Sequence, residues 1–262
     1  MLTTKRVYEL LNEQHPIAAD KDYDTTVAKA AGVCLQYHHI PVERKASPGG
    51  KRRWYRIRIE GGLGGHAATD IGKGHCSTVI PMWALLTTVY NEYDYDLAVL
   101  HIGQADDTIA STAEAVVCIP SGEPAEFLKQ QQDMMNQWLR DEYPHDAQMT
   151  CSIEKCERMD SVVDGAAFEA LLSCLEQIPQ GIVKMSEVIS DTVETSNNVG
   201  CIQTAANHIF VSTQTRSFSD SERCTVSDDI AGVFAAHGAT SETIVSTPAL
   251  PALAKLLLQP ED

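Results

Sequence analysis

Six segments between residues 54 and 154 decide the fold: WYRIRI at 54–59, VIPMWALLTTVY at 79–90, LAVLHI at 97–102, AVVCI at 115–119, PAEFLKQQQDMMNQWLRDEY at 124–143 and MTCSIE at 149–154. The first alternates Trp54, Arg56 and Arg58 with Tyr55, Ile57 and Ile59, so a strand there has one apolar and one basic face. Residues 79–90 are mostly apolar, which suits a helix provided Pro81 sits in its first turn. Residues 97–102 and 115–119 read as strands. Phe127, Leu128, Met134, Met135, Trp138 and Leu139 recur at helical spacing, and 149–154 reads as a further strand. The order strand, helix, strand, strand, helix, strand is the ferredoxin-like split arrangement. It predicts an α+β class, with helices packed on one face of an antiparallel sheet. The methionine-bearing helix stripe reads as core.

Working outward, Val33, Leu35 and Tyr37 alternate with polar neighbours, and Ser47-Pro48-Gly49-Gly50 is a turn signal. A hairpin is expected between that strand and 54–59. Val7, Leu10 and Leu11 form a short helical stripe ended by His15-Pro16. Downstream, 168–178 reads as a helix stopped by Pro179 and Gly181, and 182–188, 200–204, 209–215 and 243–246 read as strands. Residues 228–237 read as a helix closed by Gly238. This gives an N-terminal helical extension (1–30), a ferredoxin-like first lobe (31–160) and a connecting helix (161–180). A second α+β lobe (181–248) on a shared or adjoining sheet and a tail (249–262) complete the expected organisation.

The 262 residues are 44% apolar and 21% charged, the composition of an ordinary globule rather than a disordered or fibrous chain. No run approaches the length of a membrane-spanning helix, since the most apolar tail, Ala249–Leu258, is broken by Pro251 and Lys255. Charged residues throughout the first 30 positions interrupt any signal-like core, so a cytoplasmic location and no membrane partner are expected. The net charge of −16 opposes a nucleic-acid partner. Arg44, Lys45, Lys51, Arg52, Arg53, Arg56 and Arg58 form a local basic window, read as a solvated hairpin face with a polyanion site as the alternative. The eight cysteines lack metal or redox spacing and read as small buried hydrophobes.

Chemistry concentrates in three places. Gly61-Gly62-Leu63-Gly64-Gly65-His66 follows a strand, where glycines let the backbone turn sharply and a histidine can donate to a carboxylate or a developing oxyanion. It lacks the lysine and hydroxyl residue of a phosphate loop. VETSNNVG at 193–200 is polar and ends in glycine; it reads as a turn before a strand at 201 that could present hydroxyls and amides. Arg216 follows a strand and could clamp a carboxylate bidentately, or pair with Asp220 at a helix entrance.

The runs GGLGGHAATDIGKGH (61–75), VETSNNVG (193–200) and TRSFSDSE (215–222) resemble stretches of the Xaa-His dipeptidases, also called aminoacyl-histidine dipeptidases or peptidase D. These are di-zinc metallopeptidases whose catalytic domain is interrupted by a lid domain. The resemblance covers residues 31–248 and falls on the lid. It implies that His66 polarises the scissile carbonyl or binds the oxyanion, that Arg216 grips the substrate's C-terminal carboxylate, and that Thr195, Ser196 and Asn198 lie close to that site. Where the family usually has a Gly-Gly-Thr turn and an Asn-Ala-Ile-Pro run, this chain has Asp106-Asp107-Thr108-Ile109-Ala110-Ser111-Thr112-Ala113, without the asparagine.

A di-zinc hydrolase needs histidine and carboxylate ligands around two metals and a glutamate base. The sequence offers no His-Xaa-Asp pair and no Glu-Glu motif, and His145-Asp146 is the nearest imitation. The expectation is therefore a lid whose catalytic domain, with its two zinc ions, is absent from the chain. It would have no metal, no cofactor and no hydrolysis of its own. Within a complete enzyme it would contribute dipeptide binding and a dimerisation surface, with a homodimer or a separate catalytic chain as partner. The alternative reading is an inactive protein- or ligand-interaction module derived from such a lid; an unrelated nucleotide-binding enzyme using the glycine loop is a third.

Overall fold

A computed structural model describes residues 3, 27, 29–120 and 124–250. The expected helix near Val7–Leu11 and most of the tail lie outside those residues. The chain runs β1 (Gly32–Pro41), β2 (Arg44–Ala46), β3 (Arg53–Glu60), α1 (Val79–Tyr93), β4 (Asp96–Ile102), β5 (Ala113–Ile119) and α2 (Pro124–Glu142). After a 3-10 turn at Pro144–Asp146 come β6 (Thr150–Lys155), β7 (Ser161–Val163), α3 (Gly165–Gln177), β8 (Gly181–Met185), β9 (Val193–Thr204), β10 (His208–Ser217), α4 (Asp220–Ala236) and β11 (Thr240–Thr247).

The main sheet has the order β11-β1-β10-β9-β4-β5-β3-β6, with β8 also on β9 and every pairing antiparallel. The class is α+β, as expected. β3-α1-β4-β5-α2-β6 forms a split βαββαβ unit with spatial order β6-β3-β5-β4. The same arrangement occurs a second time. β1, α3, β9, β10, α4 and β11 follow each other in that type sequence, with spatial order β11-β1-β10-β9. The first unit is thus inserted into the β1-to-α3 connection of the second, and the pair β2–β7 ties the two ends of the insertion together. The units meet edge to edge through His101↔Gln203 and Ile102↔Ile202.

The anticipated hairpin between residues 33–37 and 54–59 does not form. β1 pairs with β10 and β11, whereas β3 pairs with β5 and β6. Local turn chemistry at Ser47–Gly50 is outweighed by long-range pairing: β1 sets Cys34, His38 and Ile40 inward between β10 and β11.

The four helices of the described residues cover one face. They pack in the sequence α2, α1, α3, α4, and their apolar sides join Tyr55, Ile57, Ile59, Leu97, Leu100, Val117, Val199 and Val211 in a single core. Pro81 falls in the first turn of α1, where its missing N–H costs nothing. The stripe on α2 is core through Leu128 and Leu139, but Met134 is 58% exposed. On the opposite face, Trp54, Ala98, Val116, Cys118 and Val162 form a smaller cluster. Among the described residues no helix is long and apolar enough to cross a membrane.

Candidate functional site

The open face of the second unit follows from strand alternation. His38 points to the helices and stacks on Phe234 at 4.0 Å, so Tyr37 and His39 point the other way, where both rings meet Phe210. That face is overlaid by two connections, residues 103–112 between β4 and β5 and residues 61–78 between β3 and α1.

Segment 103–112 is fixed from beneath. Tyr37 donates its hydroxyl to Asp106 Oδ2 at 2.6 Å, and Asn198 Nδ2 donates to the carbonyls of Thr108 (2.8 Å) and Asp106 (3.4 Å). The hydrogen bond to Asp106, with burial, pushes the Tyr37 hydroxyl up to about 12, so it remains a donor. Gly103 and Gly200 permit the approach: a Cβ on Gly103, at φ 66°, would lie 1.9 Å from the Gly200 carbonyl oxygen.

The glycine loop docks on this segment through a short ladder. His66 and Thr108 form an antiparallel bridge, the Ala67 N–H donates to the Asp107 carbonyl (2.7 Å), and the Ile109 N–H to the Gly65 carbonyl (2.8 Å). Its two ends are clasped by one buried carboxylate. Asp146 accepts from the Leu63 N–H at 2.5 Å and from the Cys76 N–H at 2.8 Å. The nearest imitation of a metal ligand in the sequence is therefore a loop anchor. At the tip, the His66 N–H donates to Asp70 Oδ2 at 2.7 Å. Burial alone would raise Asp70, but hydrogen bonds from Lys73, the His66 amide and Thr69 outweigh it and hold the carboxyl below its usual range.

His66 Nδ1 accepts from the Ala68 N–H at 2.9 Å. A neutral ring must then carry its proton on Nε2, which makes Nε2 the outward donor. Nε2 faces Asp107 Oδ2 at 3.7 Å, beyond hydrogen-bond reach; both side chains are about half exposed, 45% and 55%. Asp107 also reaches Arg216 electrostatically. Burial lowers the Arg216 guanidinium from its ordinary value and the Asp107 carboxylate opposes that; the group stays charged at any working pH.

Arg216 on β10 lies opposite Ser196 on β9, and both line a cleft of about 400 Å³ together with Thr69, Lys73, Thr192 and Glu194. The structure thus places Arg216 and Ser196 in one cleft, which Ala68 and Thr69 at the tip of the glycine loop also line; His66 and Asp107 face each other but are not among its lining residues. It does not bring Thr195 or Asn198 there either. Thr195 is turned to the helix face, donating to Glu222 Oε2 at 2.7 Å and meeting Ser217 Oγ at 2.8 Å. Asn198 is only 1% exposed, beneath segment 103–112. The reason is that 193–200 is not a turn. It belongs to β9, where adjacent residues take opposite faces and polar side chains find distant partners: Asn197 donates to the Pro179 carbonyl and the Val199 N–H to Gln180 Oε1. Arg216 does not take Asp220 as a carboxylate at the helix entrance; Asp220 Oδ1 accepts from Arg223 and from the Ala249 N–H.

Asp107 and Asp146 were the residues whose roles sequence patterning left undetected. Two adjacent acids in a loop between apolar strands are the only signal Asp107 gives. Four arginines of the basic window have structural partners, and three of the four pair with acids. Arg44 donates to the carbonyls of Ala98 and Ala205, Arg52 pairs with Asp96, and Arg56 and Arg58 pair with Glu114. The cysteines are free, and burial pushes Cys76, Cys151 and Cys174 up to about 12, far from nucleophile chemistry. Among the described residues no three His, Cys, Asp or Glu side chains converge as a metal site requires, so the zinc pair that the resemblance implies has no fitting ligand set there.

Fold and cleft define an α+β module of two nested split units with a loop-built, arginine-lined cleft on its open face. The aminoacylhistidine dipeptidase of Vibrio alginolyticus superposes on it with a TM-score of 0.78 and 25% identity, over 84% of this chain. That match spans 46% of the dipeptidase, so the chain covers about half the length of this relative. An amidase of the hydantoinase/carbamoylase family from Burkholderia multivorans (TM-score 0.31, 12% identity, 56% of this chain and 33% of that one) aligns too poorly to establish a common fold. The same holds for the aminopeptidase PepT of Bacillus cereus (0.28, 10%, 87% and 50%). No family model matches the sequence, and no curated protein does.

Proposed function

We propose that this chain is the substrate-contacting, non-catalytic lid of an Xaa-His dipeptidase-like metallopeptidase of the cytoplasm. The observation that carries the reading is the superposition on half of an aminoacylhistidine dipeptidase, with Arg216 and Ser196 lining a cleft that Ala68 and Thr69 of the His66 loop also line. Arg216 holds the dipeptide's terminal carboxylate, which its planar fork matches bidentately. The Nε2–H of His66 donates to the scissile carbonyl oxygen as negative charge develops on it. Ser196, opposite Arg216, adds a hydroxyl to the cleft wall. The two zinc ions and the glutamate base belong to residues outside this chain, which closes over them and assembles with a second copy of itself or with a catalytic chain.

Isothermal titration of the purified protein with glycyl-histidine, on the order of 1 mM in affinity, tests this. Arg216→Ala is expected to weaken binding about tenfold or more. Release of free histidine by this chain with added zinc, abolished in His66→Ala, would overturn the non-catalytic reading.

A further inference from the structure

We propose that His39 and His208 form an open, exchangeable site for a divalent transition-metal ion of the kind imidazole favours, such as Zn²⁺ or Cu²⁺. The pair lies at the end of β10 remote from Arg216, ~27 Å along the strand, and the inference stands independently of the lid reading.

Strand register brings the two side chains together. In the antiparallel pairing of β1 with β10, His39 lies opposite Phe210 and Pro41 opposite His208, so the histidines are diagonal neighbours. Phe210 faces the open side of the sheet, and His208, two residues earlier, shares that face. The imidazole centroids are 4.7 Å apart at 68°, close enough for both rings to reach one ion at the usual zinc–nitrogen distance of about 2.0–2.1 Å. The His208 ring is already set as a ligand. Its Nδ1 lies 2.9 Å from Asn207 Oδ1, which can only accept, so Nδ1 carries the proton and Nε2 keeps its lone pair. A partner of this kind on the far nitrogen is what orients a metal-bound histidine. Asn207 is held in turn: its carbonyl accepts from the Val42 N–H at 2.9 Å, and the Ala205 N–H closes the turn onto the His208 carbonyl at 2.8 Å. Burial first, and then His39, lowers His208 from its ordinary value, which keeps the ring neutral near neutral pH, as a ligand must be. The His39 ring has no hydrogen-bond partner among the described residues, so either of its nitrogens can turn to the ion. No third His, Cys, Asp or Glu completes the site among those residues. Water fills the remaining positions, and the ion is held by two imidazoles rather than by the three or four ligands of a resident zinc.

Calorimetric titration of the full chain with Zn²⁺ alone measures the affinity, and electron paramagnetic resonance with a substoichiometric amount of Cu²⁺ counts the imidazole nitrogens on the ion. The natural protein is expected to show two imidazoles on Cu²⁺, and a higher unfolding midpoint with Zn²⁺, because the ion ties β1 to β10 in the folded state only. His39→Gln and His208→Gln each leave one imidazole and weaken Zn²⁺ binding more than about tenfold. Asn207→Ala, which frees the His208 tautomer, weakens it about tenfold, and Asn207→Asp restores it. His101→Gln, at an exposed position on β4, changes nothing. The metal-free unfolding midpoint of each variant checks that it folds; neither His39 nor His208 is fully buried. Zn²⁺ affinity and imidazole count unchanged in both His39→Gln and His208→Gln, or fewer than two imidazoles on Cu²⁺ in the natural protein, overturns the site.

Discussion

At the scale of single residues, two buried polar side chains carry stability that composition does not reveal. His38 is fully buried, stacked on Phe234, with Nδ1 2.8 Å from Ser241 Oγ and Nε2 2.9 Å from Thr213 Oγ1. Burial first, and then the neighbouring His39, lowers it to about 4 from the ordinary 6.5. Between those values the unfolded chain binds a proton that the folded chain refuses, so stability rises with pH across that window. It is lost as pH falls from 6.5 to 4, by about 3 kcal/mol. Urea unfolding as a function of pH should show this slope in the natural protein and lose it in His38→Gln; equal slopes in both would refute the assignment. Asp146 is the second case. Removing its carboxylate leaves the Leu63 and Cys76 amides without their acceptor, so Asp146→Ala should cost about 2–4 kcal/mol in urea unfolding. A loss below about 1 kcal/mol would mean that the loop is held by other contacts.

At the scale of elements, the critical approach is that of segment 103–112 to β9. Gly103→Ala places a Cβ within 1.9 Å of a carbonyl oxygen at a φ that only glycine adopts freely, and the segment has to move away from Gly200. The expected result is a loss of about 3 kcal/mol or more together with weakened dipeptide binding, because Asp107 and His66 ride on that contact. Gly232 is the counter-case: it lies within α4 with open space where its Cβ would be, so Gly232→Ala should stabilise the protein by about 0.5–1 kcal/mol. If both changes shift the unfolding midpoint alike, the close approach is not what constrains the loop. The same elements show what patterning could reveal. Residues 54–59 were legible because their faces differ chemically: Tyr55, Ile57 and Ile59 enter the core while Arg56 and Arg58 meet Glu114. Residues 193–200 were not, because a buried strand made of Thr, Ser and Asn is satisfied only by partners far away in sequence. The resemblance placed Thr195 and Ser196 near one site, whereas strand alternation turns them to opposite faces. Arg216 and Ser196, which line the cleft, were named through the resemblance, whereas Asp107 beside His66 depends on two loops meeting and has no local pattern.

At the scale of the molecule, two nested units joined at β4 and β9 leave, among the described residues, β6 at one end of the sheet and β11 at the other. The two ends are treated differently. Along β6, Asn136 of α2 exchanges hydrogen bonds with both the N–H and the carbonyl of Cys151, and Gln132 accepts from the Ile153 N–H, so side-chain amides occupy the outer edge. β11, Thr-Ser-Glu-Thr-Ile-Val-Ser-Thr, is exposed at all eight positions and carries neither lysine nor proline, the residues that commonly protect an edge. A strand of this composition invites a further strand, and two copies can satisfy each other antiparallel about a two-fold axis. The proposed self-assembly therefore belongs at β11. Light scattering over a range of concentrations should report a dimer for the natural chain and a monomer for Val245→Lys, whose side chain is 39% exposed on that edge strand. Ile182→Lys on β8, somewhat more exposed at 47%, should remain dimeric. Should Ile182→Lys dissociate the dimer and Val245→Lys leave it intact, the interface lies on β8 and the argument from edge protection fails.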